Sequence, residues 1–287
     1  MLESIITARK ADIGGLEVGR LLPSRERRMV GPFTFLDHGG PIDLPAFIPD
    51  TLDVLPHPHI GLSTVTYLLD GTMTHRDSLG VEQVIRPGDV NWMTAGRGIS
   101  HSERFEGPFK DKGGAFNLLQ AWVALPVEHE EADPSFNHHP SQELPIFEEG
   151  GLWARLIAGT AFGVSAPVKT HSPLFYMHVQ LQAGAKAAVP GDHPERAVYV
   201  VKGCVEVAGH AYRPGEMLVF APGAAPLITA QEASTVMMLG GEPVGPRHIW
   251  WNFVSSRKER IEQAKADWQA GRIALPPHDA RAFVPLP

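Results

Sequence analysis

Cysteine is almost absent. Cys204 is the only one in 287 residues, which excludes an internal disulfide, gives no support to a thiol mechanism and makes a reducing compartment the easier home. No apolar run is long enough for a helical membrane span, so a membrane protein is not expected. The opening Met1-Leu2-Glu3-Ser4 lacks the basic-then-apolar order of a secretory signal, and a cytoplasmic protein is the expectation. Nor is there a basic stripe. With 25 basic against 32 acidic residues the net charge is -7, which argues against direct nucleic-acid binding. The local cluster Arg25-Glu26-Arg27-Arg28 reads as a solvated loop.

What the chain has in abundance is turn punctuation. Its 29 glycines and 26 prolines separate short β-branched and aromatic runs, the pattern of antiparallel β structure. Thr64 to Leu69 ends at Asp70-Gly71, a strong hairpin signal. Pro87-Gly88-Asp89 then introduces Val90 to Met93, followed by the glycine turn Ala95-Gly96-Arg97-Gly98. The second half repeats this plan: Ala197 to Val201 meets Lys202-Gly203, and Pro214-Gly215-Glu216 introduces Met217 to Phe220. Gly71 and Gly203 stand 132 residues apart, Gly88 and Gly215 127 apart, so one fold unit occurs twice. The reading is an all-β protein of two tandem barrels: residues 1–132, a proline-bearing acidic linker over 133–148, and 149–287. The last unit ends in an amphipathic helix near 257–270, with Ile261, Ala264 and Trp268 at helical intervals, a capping-box spacing at Ser256 to Glu259, and Gly271 as the stop. His129, His138 and His139 fall in or beside the linker and read as solvated.

Two short clusters carry the chemistry, His57-Pro58-His59 and His101-Ser102-Glu103. Residues two apart on a strand point to the same face, so each cluster aims two donors into one space. Three imidazoles and a carboxylate suit a redox-active first-row metal better than a structural zinc site, which usually recruits cysteine. Pro56 and Pro58 confine the first pair to the start or edge of a strand, hence near a barrel mouth. The same offsets in the second half, counted from Gly203 and Gly215, land on Val189, Gly191, Ile228 and Ala230, none of which can ligate. One metal per chain is therefore expected, in the amino-terminal barrel. His38 and His75 are left outside the ligand set: either could hydrogen-bond to a ligand or substrate, and a surface hairpin position explains His75 at least equally well.

The two-barrel plan and these residues resemble the cupin superfamily, a jelly-roll class, and within it the pirin family. The stretches that carry the likeness are Gly31 to His38, Pro56 to Gly61, Thr64 to Tyr67, Pro87-Gly88-Asp89, Trp92 to Ile99 and Gln120-Ala121-Trp122. The glutamate usual in cupins a few residues after the histidine pair is missing here, with Ser63 and Thr64 in its place. The resemblance implies metal ligands at His57, His59, His101 and Glu103, the four that spacing selects, with Glu103 supplying the carboxylate. It also implies one divalent transition metal, Fe(II) first, with Mn, Ni, Cu, Co or Zn as the other candidates.

Pirin-like proteins are associated with quercetin 2,3-dioxygenase activity, in which a flavonol binds the metal through a deprotonated oxygen and its central ring opens with loss of carbon monoxide. The resemblance thus implies a small aromatic, flavonol-like substrate and O2, with Glu103 as ligand and as acceptor of the substrate hydroxyl proton. Phe33, Phe35, Trp92 and Met93 are candidates for an apolar pocket wall, though each serves equally as barrel core. The alternative from another class is a metal-dependent redox sensor that binds a transcription factor or enzyme near Arg97 and the barrel mouth. Neither nucleic acid nor membrane is an expected partner, and a monomer is expected.

Overall fold

A computed structural model describes residues 1–287. The alternating β-branched runs form strands almost throughout, and the chain folds into two compact units. One holds residues 10–18, 36–141 and 244–287; the other holds 1–9, 19–35 and 142–243. No helix is long and apolar enough to cross a membrane.

The unit containing 36–141 is built on two sheets. In the four-stranded sheet the order is Val54–His59, Ile99–Arg104, Met73–Asp77, Glu82–Ile85. The larger sheet runs Ser135–His139, Val90–Thr94, Leu62–Asp70, Gly114–Ala124, Phe33–Leu44, Leu16–Leu22, Arg9–Ile13. The strand Leu62–Asp70 lies in mid-sheet and is buried from Leu62 to Leu68, which is why its sequence reads as a nearly continuous apolar and threonine run rather than a clean alternation. Leu68, Met73, Phe105, Phe116 and Leu118 form a core at one end.

The other unit repeats the design. Its eight-stranded sheet orders Leu2–Thr7, Glu216–Phe220, Glu195–Lys202, Ser234–Gly241, Leu174–Leu181, Leu152–Ala161 and Ile146–Glu149, with Val164–Ser165 paired beside Leu152–Ala161. A four-stranded sheet of Lys186–Ala188, Leu227–Ala230, Val205–Val207 and His210–Tyr212 completes it. The matched hairpin glycines Gly71 and Gly203 both sit in the left-handed region, at φ +86° and +82°, where a side chain is strained.

The division of the chain differs from the expected 1–132, 133–148 and 149–287 in three places. Leu2–Thr7 pairs with Glu216–Phe220 and so belongs to the second unit. The tail helix, Lys258–Gln269, belongs to the first, because Ile261, Ala264 and Trp268 pack with Ile60, Phe253 and Ile273. The linker is itself largely strand: Ser135–His139 pairs with Val90–Thr94, and Ile146–Glu149 pairs with the start of Leu152–Ala161.

The helix start also differs from its sequence signature. Arg257 occupies the cap with no side-chain hydrogen bond, and Ser256 Oγ instead donates to Glu130 Oε2 at 3.0 Å. Glu130 is buried, accepts from Ser255 Oγ and the Ser256 N–H, and lies 2.9 Å from Arg247 Nε. The burial of this carboxylate demands those partners, and the serine serves it rather than the helix.

Gly61 lies between Val54–His59 and Leu62–Asp70 at φ +67°, and a Cβ there would lie 2.0 Å from the Val254 carbonyl oxygen. Gly61→Ala is expected to cost about 3 kcal/mol or more, strain and backbone collision together. Gly80→Ala, equally left-handed at φ +86° but with nothing within 4 Å, should cost about 1 kcal/mol. Denaturant titration of the two variants separates the collision from the dihedral.

Candidate metal centre

Cross-strand register brings the two clusters together. Ile99–Arg104 lies between Val54–His59 and Met73–Asp77. His101 stands opposite His57 on one side and opposite Asp77 on the other. Since alternate residues share a face, His57 and His59, His101 and Glu103, and His75 and Asp77 form three adjacent pairs across this sheet. His59, His75, Asp77 and His101 are buried, as are His57 and Glu103 at its margin.

One ring nitrogen from each of His57, His59 and His101 lies within 4.8 Å of the others. His59 Nε2 and His101 Nε2 are 3.1 Å apart. A metal with nitrogens at about 2.1 Å and right-angle geometry places neighbouring donors about 3 Å apart, so this pair suits a shared ion. His57 Nδ1 donates to the Leu55 carbonyl at 2.9 Å, which fixes its proton and leaves Nε2 as the free base. No other group of three His, Cys, Asp or Glu donors in the chain is gathered in this way. His193, which has Glu195 two residues on, stacks on Phe175 instead.

Glu103 is near this triad but not part of it. Between His101 and Glu103 the pairing with the His57 strand slips, so that Glu103 lies opposite Val54. A slip of this kind re-aims a side chain. Its carboxylate accepts a hydrogen bond from Thr66 Oγ1 at 3.2 Å. The structure therefore gathers three of the four expected donors and holds the fourth beside them.

Burial sets the protonation of all of these groups. The His57 imidazole is pushed down to about 4, chiefly by loss of solvent. For His59 and His101 burial acts first and the neighbouring imidazoles reinforce it, and both lie well below the usual histidine range. Burial raises the Glu103 carboxyl, while His75 and the Thr66 hydrogen bond oppose it. At neutral pH the triad is thus three uncharged bases, the state in which imidazole binds metal.

For His75 the structure favours the hydrogen-bonding reading over the surface hairpin. The residue is 4% exposed, with Nδ1 3.3 Å from His101 Nδ1 and Nε2 3.1 Å from Asp77 Oδ2, and its ring stacks on Phe136. The signal was present in the His75-Arg76-Asp77 spacing, which mirrors the two clusters. Trp122, one of the residues that carry the family likeness, stands edge-on to His59 with centroids 5.2 Å apart, a neighbour of the site that its position in the sequence does not reveal.

The four apolar candidates prove to be core. Phe33 pairs with the Tyr176 ring and Arg20 lies over Phe35, both within the other unit. Met93 packs with Ala95 and Ile99, and Trp92 is fully buried. His38 bonds to Asn117 at 2.8 Å and His138 to Asn91 at 2.7 Å. Arg97 is exposed and paired with Asp133.

The depressed imidazoles make the metal-free fold acid-sensitive. His57 takes up its proton near pH 6.5 when unfolded and only near pH 4 when folded, so falling pH favours the unfolded chain across that window. His57 alone should remove on the order of 3 kcal/mol. Denaturant titration of chelator-treated protein at pH 7 and pH 4.5 checks this, and His57→Phe should flatten the slope.

Two family models cover most of the chain, Pirin over residues 15–123 and the Pirin C-terminal cupin domain over 176–274. A pirin-like protein of Caulobacter vibrioides is 59% identical over 288 residues, covering 100% of both chains. One from Solanum lycopersicum is 31% identical, covering 95% of this chain and 92% of that one. Among solved structures, quercetin 2,3-dioxygenase from Acinetobacter baumannii superposes with a TM-score of 0.90 at 36% identity, over 99% of this chain and 94% of that one. With two cupin domains in tandem, matched along nearly the whole length, this chain belongs to the pirin family.

Proposed function

We propose that the protein is a metal-dependent dioxygenase of flavonol-type aromatic substrates, with a single Fe(II) in the amino-terminal barrel. The observation that carries this reading is the triad itself: three neutral, buried imidazoles with one nitrogen each inside 4.8 Å. A structural zinc site closes its tetrahedron with four protein ligands. A three-histidine set leaves positions open, as a catalytic site requires. The name of the Acinetobacter baumannii relative supports the choice of chemistry.

On this reading His57, His59 and His101 would hold the ion, which when bound would supply Lewis acidity toward a phenolate and one-electron chemistry toward O2. Glu103 lies two residues beyond His101 on the same face, within reach of an open position or of a substrate hydroxyl. Its burial-raised carboxyl is the better proton acceptor near neutral pH for that shift. Thr66, by donating to Oε1, fixes the carboxylate rotamer and leaves the other oxygen for ligand or substrate. Trp122 and Phe136, flanking His59 and His75, furnish aromatic surface beside the site.

Protein reconstituted with Fe(II), Mn(II), Ni(II), Cu(II) or Co(II) in turn and mixed with quercetin should bleach the flavonol absorbance under air and not under argon, while the redox-inert Zn(II) form serves as the control. Iron should give the fastest loss, and an iron-loaded protein inert toward flavonols in air would refute the activity. Glu103→Gln should keep most of its metal, because the triad remains, yet lose turnover by about 100-fold or more. Elemental analysis and the same absorbance assay read the two effects separately.

A further inference from the structure

The face that carries the triad also carries two groups that the proposed chemistry does not use. Asp77 is completely buried. Its Oδ1 accepts the backbone N–H of Leu79 at 2.9 Å and of Val81 at 3.2 Å, while its Oδ2 lies 3.1 Å from His75 Nε2. His75 Nδ1 in turn lies 3.3 Å from His101 Nδ1. The line ends at His101 Nε2, 3.1 Å from His59 Nε2.

We propose that Asp77 and His75 are positioning residues that set the tautomer of His101, holding its proton on Nδ1 so that Nε2 presents a lone pair to the metal. This rests on the reading of His101 as a ligand. The direction follows from donor and acceptor counting. A carboxylate only accepts, so the His75 proton sits on Nε2. A neutral His75 then offers an acceptor at Nδ1, and His101 Nδ1 must donate to it. Outer hydrogen bonds of this kind fix ring orientation and raise ligand basicity. Here the relay has one extra imidazole between carboxylate and ligand. The stacking of His75 on Phe136, 4.4 Å between centroids and 19° from parallel, keeps that imidazole in the plane the relay needs.

Asp77→Asn reverses the relay without changing its shape. The Leu79 and Val81 N–H groups require an acceptor, so the amide oxygen stays with them and the amide N–H₂ faces His75 Nε2. His75 must then accept there and carry its proton on Nδ1. His101 is driven to protonate Nε2, and its lone pair turns away from the triad.

Two readouts test this, neither of them turnover. In metal-free protein at pH 8, ring-nitrogen NMR should place the wild-type His101 proton on Nδ1 and the His75 proton on Nε2, with both reversed in Asp77→Asn. Zinc affinity, by competition against a fluorescent chelator, should fall about 10- to 100-fold in Asp77→Asn. His75→Phe, which keeps the stack and removes the acceptor, should weaken zinc comparably. Asp77→Asn should add nothing further in that background, whereas two independent structural defects would add. Wild-type His101 carrying its proton on Nε2 overturns the proposal even if no variant folds. So does a folded Asp77→Asn that binds zinc within twofold of wild type. Wild-type protein with the stated tautomers but no zinc affinity instead overturns the metal reading on which the proposal stands.

Discussion

Three imidazoles share one buried space, one ring nitrogen from each within 4.8 Å of the others, and the sheet around them has to hold that crowding. Unpaired bases at close range repel, and burial removes the water that would relieve them. Protonation, the usual escape, is blocked because a charge there is costlier still. The arrangement holds because two of the rings are anchored from outside the triad, His57 through the Leu55 carbonyl and His101 through His75, and the strands themselves are held by their antiparallel ladders. The sheet provides the geometry and the absence of solvent provides the chemistry.

The supports are distributed over distant parts of the chain. Ile60, next to His59, is packed by the tail helix through Ile261, Ala264 and Trp268. The turn after it is closed by Gly61 N–H donating to Gly96 and Leu125 N–H donating to Gly61. Glu130 and Arg247 form a buried ion pair that fastens the approach to that helix. The second unit keeps the barrel design around an apolar interior of Phe175, Met177, Val198, Leu218 and Met238, and Val189, Ile228 and Ala230, at the offsets that correspond to metal-site positions in the first unit, lie in that interior.

Much of this was legible in the residues. The two-residue spacing of His57 with His59, and of His101 with Glu103, survives folding because strand periodicity is local. The hairpin glycines are legible for the same reason. Register was not legible. Nothing local says that His101 faces His57 and Asp77, or that the ladder slips before Glu103 and sets that carboxylate beside the triad. His75 stayed open between an exposed hairpin position and a hydrogen-bonding neighbour of the site, because a residue four positions past a hairpin glycine is commonly exposed, whereas here its strand lies between two others. Glu130 lies just ahead of the acidic, proline-bearing linker stretch, and its partners Arg247, Ser255 and Ser256, more than a hundred residues on, mark it as core. The capping box was a correct spacing put to another use.

The strand bearing His57 and His59 is the edge of its sheet. Along its open side Val284 N–H donates to the Pro56 carbonyl at 2.9 Å, and Phe253 bridges to Ile60. An open edge is an invitation to pair with another polypeptide. During synthesis the histidines leave the ribosome some two hundred residues before the segment that seals this flank. Until Phe253 and Val284 have been made, the nascent chain therefore leaves the histidine-bearing edge of this sheet without its flanking partners.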